Sequence, residues 1–144
     1  MKIRIFYEET NYKFLGWRKA VILFDKLLKS EKRLAGEINI IITTDNIIKP
    51  LNREFLNHNY NTDVIAFEYN SGTIINGEIY ISKDTVKRNS YNYNVSLENE
   101  MLRVMIHGLL HLAGYNDKTL GEKEKMHRIE DKWLNRFYNE TNGI

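Results

Sequence analysis

The stretch SLENEMLRVMIHGLLHLAGYND, residues 96–117, decides the architecture. At 3.6 residues per turn it spreads Met101, Leu102, Val104, Met105, Ile106, Leu109, Leu110 and Leu112 over nearly every side, and up to Ala113 Arg103 is the only charge past Glu100. A helix that is apolar all round has to be enclosed by other elements. Ser96, with Asn99 three residues on, stands where an incomplete capping box would be, and Gly114 stops the helix, which is predicted over 97–113. His107 and His111 lie four apart, so they project from one face about a turn apart. A buried imidazole needs a partner for each ring nitrogen, because an unpaired buried polar group is costly. The pair therefore reads either as two hydrogen-bonded core histidines or as two ligands of one metal.

Outward from this helix the chain alternates strands and helices. Residues 2–7, KIRIFY, alternate as a strand does. Trp17, Ala20, Val21, Phe24, Leu27 and Leu28 share one face of a helix predicted over 15–30, with Arg18, Lys19, Lys26 and Lys29 off that face and Gly36 marking the following turn. The β-branched run 37–43 reads as a buried strand. Thr44 or Asp45 can cap a short helix through Leu51 and Phe55, whose first turn Pro50 disturbs. A polar loop over 57–62 leads to strands at 63–69 and 78–82, separated by turn signals over 70–77. Ser82 caps a helix over 83–88, and a last helix over 121–137 carries Met126, Ile129, Trp133 and Phe137. Strands mixed with helices around a buried one indicate an α+β or α/β sandwich.

The composition narrows the function classes. The 144 residues suit a single domain, 1–144, and 42% hydrophobic with 28% charged residues excludes a disordered chain. The absence of cysteine excludes disulfides, thiolate zinc sites, iron–sulfur clusters and cysteine nucleophiles. With no leader-like apolar core at the start and no 18-residue apolar run, the expectation is a cytoplasmic protein without a membrane partner. The net charge of +2 is unevenly spread: residues 1–36 carry nine Lys/Arg against four Asp/Glu, whereas 37–81 carry two against six. Such asymmetry reads either as a basic face that attracts phosphates or as a solvated helix face.

The residues after the histidines sharpen the chemistry. Gly114 follows His111 by three positions and Asp117 by six. A helix, a glycine break and a ligand on the returning chain is the logic of the extended metzincin zinc motif. Two neutral imidazoles and a carboxylate make a tripod for zinc with a fourth position open. A zinc peptidase, however, needs a glutamate directly after its first histidine as general base, and Gly108 stands there.

HGLLHLAGYND closely resembles the signature of the YbeY family of bacterial endoribonucleases, commonly HGxLHLxGYDH. LNREFLNHNYNTDVIAF (51–67) is similar to that family's loop and strand ending in T-(D/N)-V-L-S-F, and GEIYIS (77–82) to its G-D-I-x-I-S strand. The resemblance implies an α+β fold, with a mixed four-stranded sheet packed with about five helices and a metal site on the buried central helix. It implies zinc, one ion per chain, on His107, His111 and Asp117, where the third family ligand is usually histidine. A carboxylate there makes the site more hospitable to other, oxygen-preferring divalent metals. The implied activity is cleavage of single-stranded RNA in 3′-end maturation of small-subunit ribosomal RNA and in ribosome quality control. The implied partners are ribosomal RNA and the small subunit, with no DNA.

An arginine that many members carry before the TDV strand falls on Leu56 here, leaving Arg53 and His58 as the stand-ins. His58 is the candidate acid or base, since imidazole titrates near neutrality, or else a loop histidine without a role. Arg18, Lys19, Lys26 and Arg53 are the candidate RNA contacts. His127 reads as a surface or structural residue; Asp63, Glu68 and Asp84 read as a strand-start residue, a surface charge and a helix-cap neighbour. Two other functions compete: a ribosome-assembly module that binds RNA around a structural metal without cutting it, and a metallopeptidase, which Gly108 disfavours.

Overall fold

The computed structural model describes residues 2–56 and 62–140. Its elements follow in the order β1 (Ile3–Tyr7), α1 (Trp17–Ser30), β2 (Leu34–Thr43), α2 (Asp45–Leu56), β3 (Val64–Glu68), β4 (Ile74–Ser82), α3 (Lys83–Asn92), α4 (Leu97–Leu112) and α5 (Leu120–Asn139). The four strands form one sheet in the order β1-β2-β4-β3, with β1, β2 and β4 parallel and β3 antiparallel to β4. The expected α+β fold with a mixed four-stranded sheet and five helices is what is found.

Alternation divides β2 between two faces. Ile38, Ile40 and Ile42 join the main core with Ile79 and Ile81 of β4, beneath α1, α4 and α5. Ile41 and Ile65 are also buried but lie outside that core, as does Ile48 of α2. On this second face Phe55 of α2 meets Phe67 edge-on at 5.6 Å, and Phe67 meets Tyr80 at 6.0 Å. The second face of β2 carries Glu37, Asn39, Ile41 and Thr43; it is open at Glu37 and buried at Ile41 and Thr43. Helix α4 covers the β3–β4 half of the sheet, and α1 the β1–β2 half.

Several features differ from expectation for physical reasons. Strand β4 begins at Ile74, inside the stretch read as turn; the turn itself is confined to the residues around Gly72, whose φ is +61°. Asn76 and Gly77 look like turn residues, but the Asn76 amide oxygen accepts from the Glu37 backbone N–H. At Gly77 an added Cβ would lie 2.5 Å from the Phe67 carbonyl, so glycine there serves close strand packing. Helix α2 runs through Pro50, with the Thr44 carbonyl accepting its first bonds from Ile47 and Ile48. Trp17, on the apolar face that periodicity assigns to the core, is 45% exposed, because it is the first residue of α1 at the open edge of the sheet.

Candidate metal centre and its cleft

Helix α4 carries ten buried residues, and its close seat on β4 depends on Gly108. A Cβ at Gly108 would lie 2.6 Å from Ile79 Cγ2. The position that carries the general base in zinc peptidases therefore points into the sheet. His107 and His111, one residue to the N-terminal side and three to the C-terminal side, are turned to one side of it, toward the cleft beside β3, each partly exposed.

The chain reverses immediately after α4. Tyr115 N–H donates to the Leu110 carbonyl and Gly114 N–H to the His111 carbonyl, with Gly114 at φ +103°. This paired closure around a left-handed residue is a Schellman ending, which glycine adopts without the strain a Cβ would bring. The reversal sets the Tyr115 carbonyl 3.1 Å from His111 Nδ1 and returns Asp117 to the imidazoles. His107 Nε2 and His111 Nε2 are 3.0 Å apart, and Asp117 Oδ2 is 3.2 and 3.4 Å from them.

These separations suit a small divalent ion. Tetrahedral ligands about 2.0–2.1 Å from zinc stand roughly 3.3–3.4 Å from one another. Tautomers support the same reading. A carbonyl only accepts, so His111 Nδ1 donates to Tyr115 and leaves its Nε2 with a lone pair. His107 Nδ1 lies 2.6 Å from Glu130 Oε2 and donates to that carboxylate, which frees its Nε2 likewise. Three electron-pair donors thus converge, a mutually repulsive set that a cation relieves. Among the described residues, His107, His111 and Asp117 form the cluster that could hold a metal.

Glu130 is the functional residue the sequence reading missed. It is 4% exposed on α5, and its second oxygen accepts from Arg103 Nη1 at 3.0 Å; Arg103 Nη2 reaches Asp131 at 2.5 Å. A carboxylate behind a ligating histidine fixes ring orientation and raises ligand basicity. Burial works against the His107 imidazolium, but the Glu130 hydrogen bond and charge, with Asp117 and Asp63, outweigh it and hold His107 above its ordinary value.

Asp63, read as a strand-start residue, does more than begin β3. Its carbonyl accepts from Ser82 N–H, while its side chain lines the cleft beside His107. Burial pushes its carboxyl up, against the opposing charge of His107. The cleft, about 540 Å³, is bordered by Leu56, Thr62, Asp63, His107, His111 and Asp117 among others. A second cavity of about 440 Å³ meets it at Asp63 and His107 and contains Glu100, Arg103, His127 and Glu130. Glu100, 4% exposed, has its carboxyl pushed up to about 7, chiefly by burial. His127, expected as a surface or structural residue, is an exposed wall of this second cavity, with Nδ1 3.4 Å from Arg103.

The candidate RNA contacts are not gathered at the cleft. Arg18, Lys19 and Lys26 sit on α1 over the other half of the sheet, where Arg18 lies over the Trp17 ring and Lys19 over Phe137. Arg53 is exposed on α2, near the cleft border at Leu56. His58, the candidate acid or base, lies outside the described residues.

Comparison with known proteins matches this architecture. The family model described as endoribonuclease YbeY matches residues 7–138. The endoribonuclease YbeY of Flavobacterium psychrophilum is 42% identical over 135 residues, 94% of this chain and 91% of that protein. That of Chloroherpeton thalassium is 46% identical over 117 residues, 81% of each chain. The solution structure of a Thermotoga maritima protein superposes with a TM-score of 0.69 at 30% identity, covering 96% of this chain and 90% of the other. The motif on α4, the sheet order and matches over nearly the whole length agree: the chain belongs to the YbeY family of endoribonucleases.

Proposed function

We propose that this chain is a metal-dependent endoribonuclease, a single domain over 1–144 that cuts single-stranded RNA in the cleft above His107, His111 and Asp117. Its setting is 3′-end maturation of small-subunit ribosomal RNA and ribosome quality control, in the cytoplasm and in contact with the small subunit. The observation that carries the reading is the convergence of three protein donors, each histidine held in the ligating tautomer, on an open cleft of about 540 Å³. Structural zinc sites close with four protein ligands, whereas catalytic ones keep three and an open position.

When bound, a divalent ion, zinc first, supplies Lewis acidity toward a phosphoryl oxygen and acidifies a neighbouring water. The chain's residues do the rest. Glu130 and the Tyr115 carbonyl keep the Nδ1 protons in place, so both Nε2 atoms stay available throughout. Asp63, at the cleft wall beside His107, is positioned to accept a hydrogen bond from a ribose hydroxyl or water. His58 is our candidate acid or base; in sequence it lies between Leu56 and Thr62, both of which border the cleft. Arg53, with Arg18, Lys19 and Lys26 further along the surface, offers phosphate contacts without base preference.

The metallopeptidase reading lacks a base on the helix, since Gly108 packs on Ile79. The test is single-turnover cleavage of end-labelled single-stranded RNA, and of a peptide library, with and without chelator. The expected result is RNA cleavage that chelation abolishes and added zinc or manganese restores, with peptides intact. Asp117→Ala should lose most of its metal and its RNA cleavage together. RNA cleavage that persists after metal analysis finds none bound would refute the proposal.

A further inference from the structure

The edge of the sheet far from the cleft is open. Strand β1 pairs with β2 through alternate residues: Ile38 N–H donates to the Lys2 carbonyl and Glu8 N–H to the Ile42 carbonyl, bracketing the register Ile3↔Ile38 to Tyr7↔Ile42. In a parallel ladder this parity assigns the Arg4 and Phe6 backbone groups to β2. The N–H and C=O groups of Ile3, Ile5 and Tyr7 therefore point outward from the sheet, and among the described residues no other strand pairs with β1. Beside them runs a groove of about 600 Å³ between β1 and α1, walled by Ile5, Phe6, Trp17, Arg18, Val21 and Ile22. Phe6 and Trp17 are 46% and 45% exposed there, and Ile22 37%. An open edge of this kind is a template for another strand.

The sequence of the edge is self-complementary. An antiparallel copy of β1 centred on Ile5 sets Lys2 against Glu8, Ile3 against Tyr7 and Arg4 against Phe6. Lys2 and Glu8 are both exposed. The residues with outward backbone groups then face one another, so each pair Ile3–Tyr7 and Ile5–Ile5 exchanges both hydrogen bonds of a closely spaced antiparallel pair. A two-fold axis normal to the sheet keeps both α1 helices on one face and runs them antiparallel. On the side of α1 nearest this edge, Arg18 and Ile22 are exposed one turn apart. Ile22 is 37% exposed on this side, beside the open edge. The strand is thus complementary to itself about one axis, the property an isologous interface requires.

We propose that a second copy of this chain docks on this edge, β1 against β1 about a two-fold axis at Ile5, joining two four-stranded sheets into one of eight strands. The interface leaves the metal centre, over the β3–β4 half, facing solvent in both copies.

The test is sedimentation equilibrium of the full chain from low micromolar to several hundred micromolar, with amide exchange followed at both extremes. A concentration-dependent dimer is expected, with the Ile5 and Tyr7 amides protected only in the dimer and the Arg4 and Phe6 amides protected in both states. Ile5→Pro removes an outward donor and no β1–β2 bond, and should abolish dimerisation. Because Ile5 also packs against the core, a charge exchange supplies a readout that leaves the core untouched. Lys2→Glu or Glu8→Lys alone should raise the dimer Kd about tenfold, since two symmetry-related cross-strand attractions become repulsions. The double exchange should return it to within about twofold of the parent. A chain that stays monomeric throughout, whatever else it binds, overturns the proposal. So does a dimer indifferent to the charge exchange, or one whose Ile5 and Tyr7 amides exchange as in the monomer.

Discussion

Replacing Glu130 by glutamine tests the metal centre at its least visible point. The wild-type carboxylate serves two donors, His107 Nδ1 at 2.6 Å and Arg103 Nη1 at 3.0 Å, one on each oxygen. The amide of Glu130→Gln has nearly the same shape but one acceptor oxygen. If that oxygen turns to His107, an NH₂ group faces the Arg103 guanidinium, donor against donor. If it turns to Arg103, the NH₂ faces His107 Nδ1, which must then give up its proton. That proton moves to Nε2 and closes the ligand. Either choice costs metal affinity, and loss of such a supporting partner typically weakens binding 10–100-fold, about 1.4–2.7 kcal/mol. Glutamine is a better probe than alanine, which would leave Arg103 and the Nδ1 proton partly buried with a shared partner gone. The assay is competition against a chromophoric zinc chelator at fixed pH, alongside thermal unfolding of the metal-free protein. Nitrogen NMR of the metal-free variant should show a larger share of the Nε2–H tautomer at His107. Zinc affinity within twofold of wild type would refute the role assigned to Glu130.

Two further outcomes follow from the packing. Gly108→Ala sets a methyl 2.6 Å from Ile79 Cγ2, so α4 must shift from the sheet; chemical denaturation should show a loss of about 1–3 kcal/mol, and an unchanged midpoint would refute the close contact. Glu100 has a folded-state pKa of about 7 against an ordinary 4.5, so the folded chain binds its proton more tightly than the unfolded chain does. Its favourable contribution is therefore complete below pH 4.5 and is lost as pH rises through about 7. Glu100→Gln should flatten that fall, worth on the order of 2–3 kcal/mol, when stability is measured from pH 4.5 to 8. Equal slopes for the two proteins would place the titration elsewhere.

The donors were legible because they are local. His107, His111 and Asp117 fall within one helix and its ending, where spacing alone fixes which side chains meet. Glu130 belongs to a different helix, and its neighbours Glu122 and Glu124 look no different as letters. One signal was present: position 130 falls on the stripe that Met126, Trp133 and Phe137 define, a carboxylate where the helical period calls for an apolar residue. Glu100 on α4 carries the same mark. The strands were legible by alternation and β-branching, but the insertion of β4 between β2 and β3 was not, since strand order depends on contacts far apart in sequence. The β4 start was hidden because Asn76 and Gly77 serve cross-strand contacts with residues that turn statistics ignore. The misreading of Trp17 has a similar origin, for helical periodicity says which face is apolar but not how far the sheet beneath it extends.

The tight reversal at Gly114 also bears on the order in which the molecule assembles. All three donors lie within residues 107–117, so an ion gathering them closes only a short loop of chain. The entropy of such a closure is small and grows slowly with loop length. Capture of an ion at the proposed site would thus require α4 and its glycine ending but no part of the sheet, whereas the Glu130 brace would arrive only when α5 docks. Zinc present during synthesis would favour the chain reversal while the C-terminal helix is still being made. A protein folded without the ion would need α5 in place to hold the same imidazole.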